Sequence, residues 1–275
     1  MCGQNLLDWL FGKRKGKMTR PQGIDISKYQ ESFDPGIASE PIDFIIQRAS
    51  WGKYRDEEFV ELFQGVKEIE RRGAYHYYSS NIPWKEQADL FLEISSGKGF
   101  KALVVDYEKG YNKLTQRTAL ELASFLAYLK AQRPNKRILG YSNFYCYRDL
   151  IMPYVDLSMW DWFFARYPSN PDPQKDDPQY LDGMDPEKRP WKKWQYSSTG
   201  DGSKYGVEST FVDLVVFNGN YDDLDDYFNI NQDPPTPPPP PPPVDCTGQI
   251  KSGQLEVINQ AIAALNDLKA EIQDG

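Results

Sequence analysis

Apolar positions along this chain fall into two alternating patterns. Short apolar runs of strand length lie at 23–27, 43–49, 73–78, 101–107, 137–142 and 161–166, each bounded by polar or turn-forming residues. Helical patterns at 56–71, 85–96 and 116–132 separate them, and in the last of these Leu120, Ala123, Phe125, Ala127 and Leu129 lie near helical spacing, with Pro134 beyond as a stop. Repeated strand–helix units predict a parallel α/β fold. Two further strands, 192–197 and 212–218, have no helix between them. The expected architecture is a TIM-like α/β barrel of eight strands, the last strands antiparallel and lacking helices. The stretch 168–191 is rich in Pro and Asp and is predicted to be a long loop.

Residues 21–230 form the expected barrel domain, and its flanks have different patterns. Residues 1–20 are an appendage in which the apolar Leu6, Leu7, Trp9, Leu10 and Phe11 precede the basic run Lys13 to Lys17. A secretory signal has the reverse order, so the expectation is synthesis in a cytoplasm without an export tag of this kind. No run approaches the roughly 18 apolar residues of a membrane span. Residues 231–248 form a Pro-rich linker. Within it, 234–243 (PPTPPPPPPP) predicts a polyproline spacer of roughly 30 Å. Residues 249–275 resume a helical pattern, with Ile258, Ala261, Leu265, Leu268 and Ile272 at 3-4-3-4 spacing. A helix of about two heptads is marginal alone, so it is expected to anchor the chain to an oligomer or a larger particle.

Composition narrows the chemistry. The formal net charge of −8 argues against nucleic acid as the main partner, because phosphate binding needs a basic surface. The three cysteines, Cys2, Cys146 and Cys246, are odd in number and widely spaced, and imply neither a disulfide framework nor a zinc site. With one histidine, His76, a His-dependent triad or a multi-histidine metal centre is nearly excluded. Catalysis is thereby pushed toward carboxylates, with no metal and no cofactor expected. The 18 tyrosines and seven tryptophans fill a core or supply flat platforms for sugar rings.

The sharpest local feature is Val-Val-Asp106-Tyr107-Glu108 at the end of an apolar strand. Strand side chains alternate, so Asp106 and Glu108 leave one face and Tyr107 the other. In a parallel barrel the C-terminal strand ends form the active face. Two close carboxylates resist joint ionisation, so one holds its proton near neutral pH. Glycoside hydrolysis needs such a pair, an acid for the leaving oxygen and a negative group for the oxocarbenium-like centre. Asp25 closes the first strand inside apolar sequence, where an acid is costly unless paired or functional. Asp213 opens the final strand. If that strand runs antiparallel, it begins at the active face and brings Asp213 into the same cleft.

With these pieces in order, residues 23–220 resemble the lysozymes of glycoside hydrolase family 25. The resemblance is carried by Asp25-Ile-Ser-Lys-Tyr-Gln30, by Phe44-Ile-Ile-Gln-Arg48-Ala-Ser50 with Gly52, and by Gly73-Ala-Tyr-His76-Tyr77. Asp106-Tyr-Glu108, Phe164-Ala-Arg166-Tyr167, Trp194-Gln-Tyr-Ser197 and Val212-Asp213-Leu214 with Phe217-Asn-Gly219 continue it. It implies hydrolysis of the β-1,4 bond between N-acetylmuramic acid and N-acetylglucosamine in bacterial peptidoglycan, with Glu108 as general acid/base. Asp106 is then expected to support the substrate's own acetamido nucleophile, giving retention, and Asp25 and Asp213 match the family's other cleft acids. Arg48, Tyr54, Tyr77, Tyr141 and Trp194 are the candidates for substrate binding, and His76 is expected to be structural. Arg48 departs from the Lys frequent in the family, and the 168–191 loop is longer than usual. The two appendages suggest a phage lysin, either a holin-released endolysin or a virion component. A catalytically idle wall-binding module and a hydrolase of other N-acetyl sugars such as chitin are the alternatives.

Overall fold

The structure, a computed structural model, describes residues 19–110, 112–178 and 191–230. The chain divides into two units, Met1–Gln232 and Asp233–Gly275, and every described residue belongs to the first. The expected Pro-rich linker, the 249–275 helix and nearly all of the N-terminal appendage lie outside the described residues.

Nine strands form one sheet: β1 (Gln22–Ile26), β2 (Phe44–Trp51), β3 (Tyr54–Arg55), β4 (Arg72–Tyr77), β5 (Ala102–Asp106), β6 (Arg137–Asn143), β7 (Asp161–Ala165), β8 (Trp191–Asp201) and β9 (Phe211–Phe217). Their order is β1-β9-β8-β7-β6-β5-β4-β2-β3, and a further β1–β2 pairing closes the sheet. Eight strands thus make a barrel, with β3 a short hairpin partner of β2 at its rim. The pairings from β1–β2 through β7–β8 are parallel. The β9 strand is antiparallel to both of its neighbours, β1 and β8. The sequence pattern anticipated this closure, because no α-helix separates the last two strands, only the short 3-10 helix Gly202–Tyr205.

Helices α1 (Phe59–Val66), α2 (Trp84–Ser95) and α3 (Gln116–Gln132) cover the barrel on one side, and α4 (Tyr221–Tyr227) follows the last strand. The α3 helix starts at Thr115, whose hydroxyl accepts from the Thr118 amide, an N-cap of the kind worth about 1 kcal/mol. Its buried face is Ala119, Leu122, Phe125, Leu126 and Leu129. The sequence-based face is corrected in part: Leu120 is exposed, and Ala127 also faces solvent. The i, i+3, i+4, i+7 rule fits Leu122, Phe125, Leu126 and Leu129 without them. Truncating Phe125 to Ala would cost about 3–5 kcal/mol.

Strand alternation sorts the barrel into two cores. Outward residues such as Ile24, Ile45, Leu103, Val105, Trp162, Phe164, Trp194 and Val216 form the outer core, together with the buried faces of the helices. Inward residues Phe44, Ile46, Ala102, Val104, Leu139, Phe163, Val215 and Phe217 join Leu224, Tyr227 and Phe228 of the α4 segment inside the barrel. The α4 segment, not anticipated from the sequence, therefore stoppers the N-terminal end. Arg137 helps to hold it there through Nε donating to the Tyr227 carbonyl at 3.0 Å.

Candidate active site

Each inward row of side chains changes from apolar to polar toward the C-terminal strand ends. On β2 the row is Phe44, Ile46, Arg48; on β5 it is Ala102, Val104, Asp106; on β9, which runs the other way, it is Phe217, Val215, Asp213. The polar ends open into a cleft of about 770 Å³. Asp25, Arg48, Tyr77, Asp106, Glu108, Tyr141 and Asp213 all line it, with Val104 and Phe163 as its apolar floor.

The antiparallel entry of β9 makes Asp25 and Asp213 direct cross-strand partners. Register likewise sets Tyr77 beside Asp106 and Asp106 beside Tyr141. Tyr107 leaves the opposite face, buried against the Tyr78 ring at 5.3 Å, with its hydroxyl 2.7 Å from Thr118 Oγ1. The loop after Glu108 is pinned by Asn112, whose Nδ2 donates to the carbonyls of Tyr78 (2.9 Å) and Glu108 (3.0 Å). Gly110 in this loop has a positive φ of 30° and crosses over Tyr77, leaving no room for a side chain.

Four carboxyls in one half-buried cleft cannot all ionise cheaply. Burial pushes Asp25 and Asp106 well above the usual carboxylate range. For Asp25 the charge of Asp213 adds to burial, and for Asp106 that of Glu108 does. Burial also raises Glu108, and it raises Asp213 to about 6. Arg48 is the compensating cation, and its charge pulls Asp106 back down. Its Nε donates to Asp56 Oδ2 at 2.5 Å, and its guanidinium lies 5.3 Å from the Tyr29 ring centre. Asp56, itself buried, also accepts from the Lys28 and Glu58 amides. The anchoring of Arg48 is therefore built into the loop around Asp56.

Two expected binding residues lie elsewhere. Trp194 is buried on the outward face, its indole donating to the Arg166 carbonyl at 2.9 Å. Adjacent strand positions face opposite ways, so the inward place belongs to Gln195. Tyr54 sits half exposed on β3 outside the lining, its ring 4.8 Å from that of Trp51, which does line the cleft. Gln195, Trp51, Tyr75, Tyr167, Lys28 and Tyr29 are cleft residues that the sequence reading missed. Period-two counting from Tyr77 back to Tyr75 would have found one of them. His76 faces outward, fully buried, with Nδ1 2.8 Å from Ser50 Oγ and Nε2 3.0 Å from Gln87 Oε1. Burial lowers it to about 4, so it is neutral at physiological pH and remote from the cleft, as a structural histidine should be. Among the described residues no group of three or more His, Cys, Asp or Glu side chains is placed to hold a metal ion, and no helix is long and apolar enough to cross a membrane.

A closed barrel with a carboxylate-lined cleft at its C-terminal strand ends is an arrangement suited to glycoside hydrolysis. The sequence profile of the glycosyl hydrolases of family 25 matches residues 24–205, well over half of the chain, and the chain belongs to that family. It is similar to the uncharacterized protein YegX of Escherichia coli O6:H1, 28% identical over 222 residues that cover 78% of this chain and 75% of YegX. Its fold is similar to the bacterial lysozyme of Streptomyces coelicolor, with a TM-score of 0.63 and 23% identity over 78% of this chain and all of the lysozyme. The catalytic domain of endolysin ply40 from bacteriophage P40 of Listeria monocytogenes shares it too, with a TM-score of 0.60 and 21% identity over 78% and 99% of the two chains.

Proposed function

We propose that this glycoside hydrolase is a muramidase that cleaves the β-1,4 bond between N-acetylmuramic acid and N-acetylglucosamine in peptidoglycan. The observation that carries the reading is the meeting of Asp25, Asp106, Glu108 and Asp213, from distant parts of the chain, in one cleft. Glu108 is partly exposed, and burial favours its protonated form. It is the general acid that protonates the leaving oxygen and then, as a base, activates water. Asp106 is deeper, and its Oδ1 is buried without a protein partner. It receives the N–H of the substrate's 2-acetamido group, whose carbonyl oxygen attacks the anomeric carbon with retention, the substrate-assisted variant of the two-carboxylate scheme. Arg48, Tyr77 and Tyr141 position the sugar. The likeness to a phage endolysin domain supports a role in phage-encoded wall degradation. Residues 249–273 are proposed, on their apolar seam, to mediate association.

The test is digestion of purified cell walls followed by reductive labelling of the products. New reducing ends on muramic acid support the reading, and new ends on glucosamine overturn it. A covalent sugar adduct on Asp106, found by mass spectrometry, would replace the acetamido step with direct attack by the carboxylate. Removal of residues 234–275 should leave hydrolysis of soluble fragments nearly unchanged and abolish association measured by light scattering.

A further inference from the structure

Behind the four acids lies a side chain that no step above uses. Gln195 of β8 is buried in the wall of the cleft, and both polar atoms of its amide group are engaged. Its Nε2 donates to Asp25 Oδ2 at 2.7 Å. Its Oε1 accepts from the Tyr141 hydroxyl at 2.9 Å and from the Tyr167 hydroxyl. The amide is oriented with its oxygen toward the two phenol hydroxyls and its N–H toward Asp25. Asp25 Oδ2, already taking an N–H, is the carbonyl-type oxygen of that carboxyl. When Asp25 is protonated, its proton therefore resides on Oδ1. Asp25 and Asp213 are joined by a side-chain hydrogen bond and by strand register. Asp213 is the more exposed of the two.

We propose that Gln195 is a positioning residue: it directs a one-way hydrogen-bond chain from Tyr141 and Tyr167 through Asp25 to Asp213, so that Asp213 meets the substrate as the carboxylate. Asp25 then serves as the proton-bearing support of Asp213 and does not touch sugar. The assignment rests on the muramidase reading of the cleft and adds a division of labour between two acids that sequence alone leaves equivalent.

The order of ionisation agrees with this geometry. Burial raises both acids, and their shared hydrogen bond raises Asp25 and lowers Asp213, while the Gln195 N–H opposes the rise at Asp25. The groups around the pair in the cleft are Glu108 and Asp106 from β5 and its loop, Tyr75 from β4, Arg48 from β2, Tyr141 from β6, Tyr167 after β7, and Lys28 and Tyr29 after β1. Arg48 is tied to Asp56 and Lys28 to Glu57, and the Gln195 amide is the donor given to Asp25. A donor to a carboxylate favours its charged form. Losing it therefore raises the pH at which the pair first ionises.

The experiment compares wild type, Gln195→Met and Tyr167→Phe in the full chain, measuring kcat and KM on soluble peptidoglycan fragments from pH 4 to 8. In Gln195→Met the acid limb of kcat/KM should move up by about one pH unit, and kcat near pH 5 should fall about tenfold to a hundredfold with KM within a few fold. Tyr167→Phe removes one donor onto Oε1 from a half-exposed residue, so the fold survives, and its limb should move the same way by less. An unmoved limb in a folded Gln195→Met, or an equal loss at every pH, would overturn the chain. Should Gln195→Met not fold, the limb of Tyr167→Phe decides in the same way. Glu108→Gln run alongside separates the two claims. If it stays active, the muramidase reading falls and takes the chain with it. If it is dead while the limbs stay put, only the chain is wrong.

Discussion

The two ends of the barrel interior both bury charge, and they handle it in opposite ways. At the C-terminal end four carboxyls share an open cleft with two tethered cations, Arg48 and Lys28, and burial favours the protonated form of each acid. At the N-terminal end a single lysine, Lys193 of β8, is fully buried with no hydrogen-bond partner for its Nζ. Aromatic rings cage it instead: Tyr227 at 4.1 Å, Phe228 at 5.2 Å, Phe217 at 5.8 Å and Phe44 at 5.9 Å. Burial lowers Lys193 to about 7. Cation–π contacts worth about 2 kcal/mol when desolvated offset only part of the cost of removing an ammonium group from water. The apolar rows between the ends, Ile46, Val104, Leu139, Phe163 and Val215, insulate one from the other. Both ends cost stability. The difference teaches that only charge open to the cleft has substrate to meet, so the two ends should respond separately to substitution.

The sharpest way to break this contrast is Glu108→Gln. A nearly isosteric loss of the proton donor should lower kcat by about 10²–10⁴ and leave the thermal midpoint within about 2 °C. Activity within a few fold of wild type would remove Glu108 from the chemistry. Asp106→Asn comes next. If it supports the acetamido group, kcat should fall about 10–10²-fold, the value of a hydrogen bond to a charged group. Steady-state kinetics on soluble fragments reads this directly.

At the other end, Lys193→Met should leave kcat and KM unchanged and add about 1–2 kcal/mol of stability near pH 6, after loss of the cation–π contacts. The sign follows from linkage. The folded pKa of Lys193, about 7, lies below its unfolded value, so wild type regains stability as pH rises above 7. The advantage of the variant should therefore shrink between pH 7 and pH 10. Urea titrations at pH 6 and pH 10 test it, and destabilisation at pH 6 would mean the cage outweighs the burial cost. The smallest change in stability is expected from Asp213→Asn. The folded pKa of Asp213, about 6, is raised, so wild type loses stability as pH climbs from about 4 through 6. The variant should gain about 1 kcal/mol at pH 8 and almost nothing at pH 4, as thermal melts at the two values would show.

The sequence by itself determined the strand series, the helix-free final pair and the polar ends of the inward rows, because period-two alternation and chain punctuation are local signals. Asp106 and Glu108 were legible for the same reason: they share one strand end. Asp25 was legible as an acid inside an apolar strand, Asp213 only through the conditional that the last strand runs antiparallel, and barrel closure supplied that condition. Whether Trp194 or Gln195 faces inward was a different kind of question. Alternation states that the two point apart, but which face is interior depends on how the sheet curls and on the β7–β8 register shift between Trp162 and Phe163. The α4 stopper and the Lys193 cage likewise join Phe44, Lys193, Phe217 and Tyr227, residues far apart in the chain. Their meeting is set by closure and long-range packing, which leave no periodic trace in any local window of sequence.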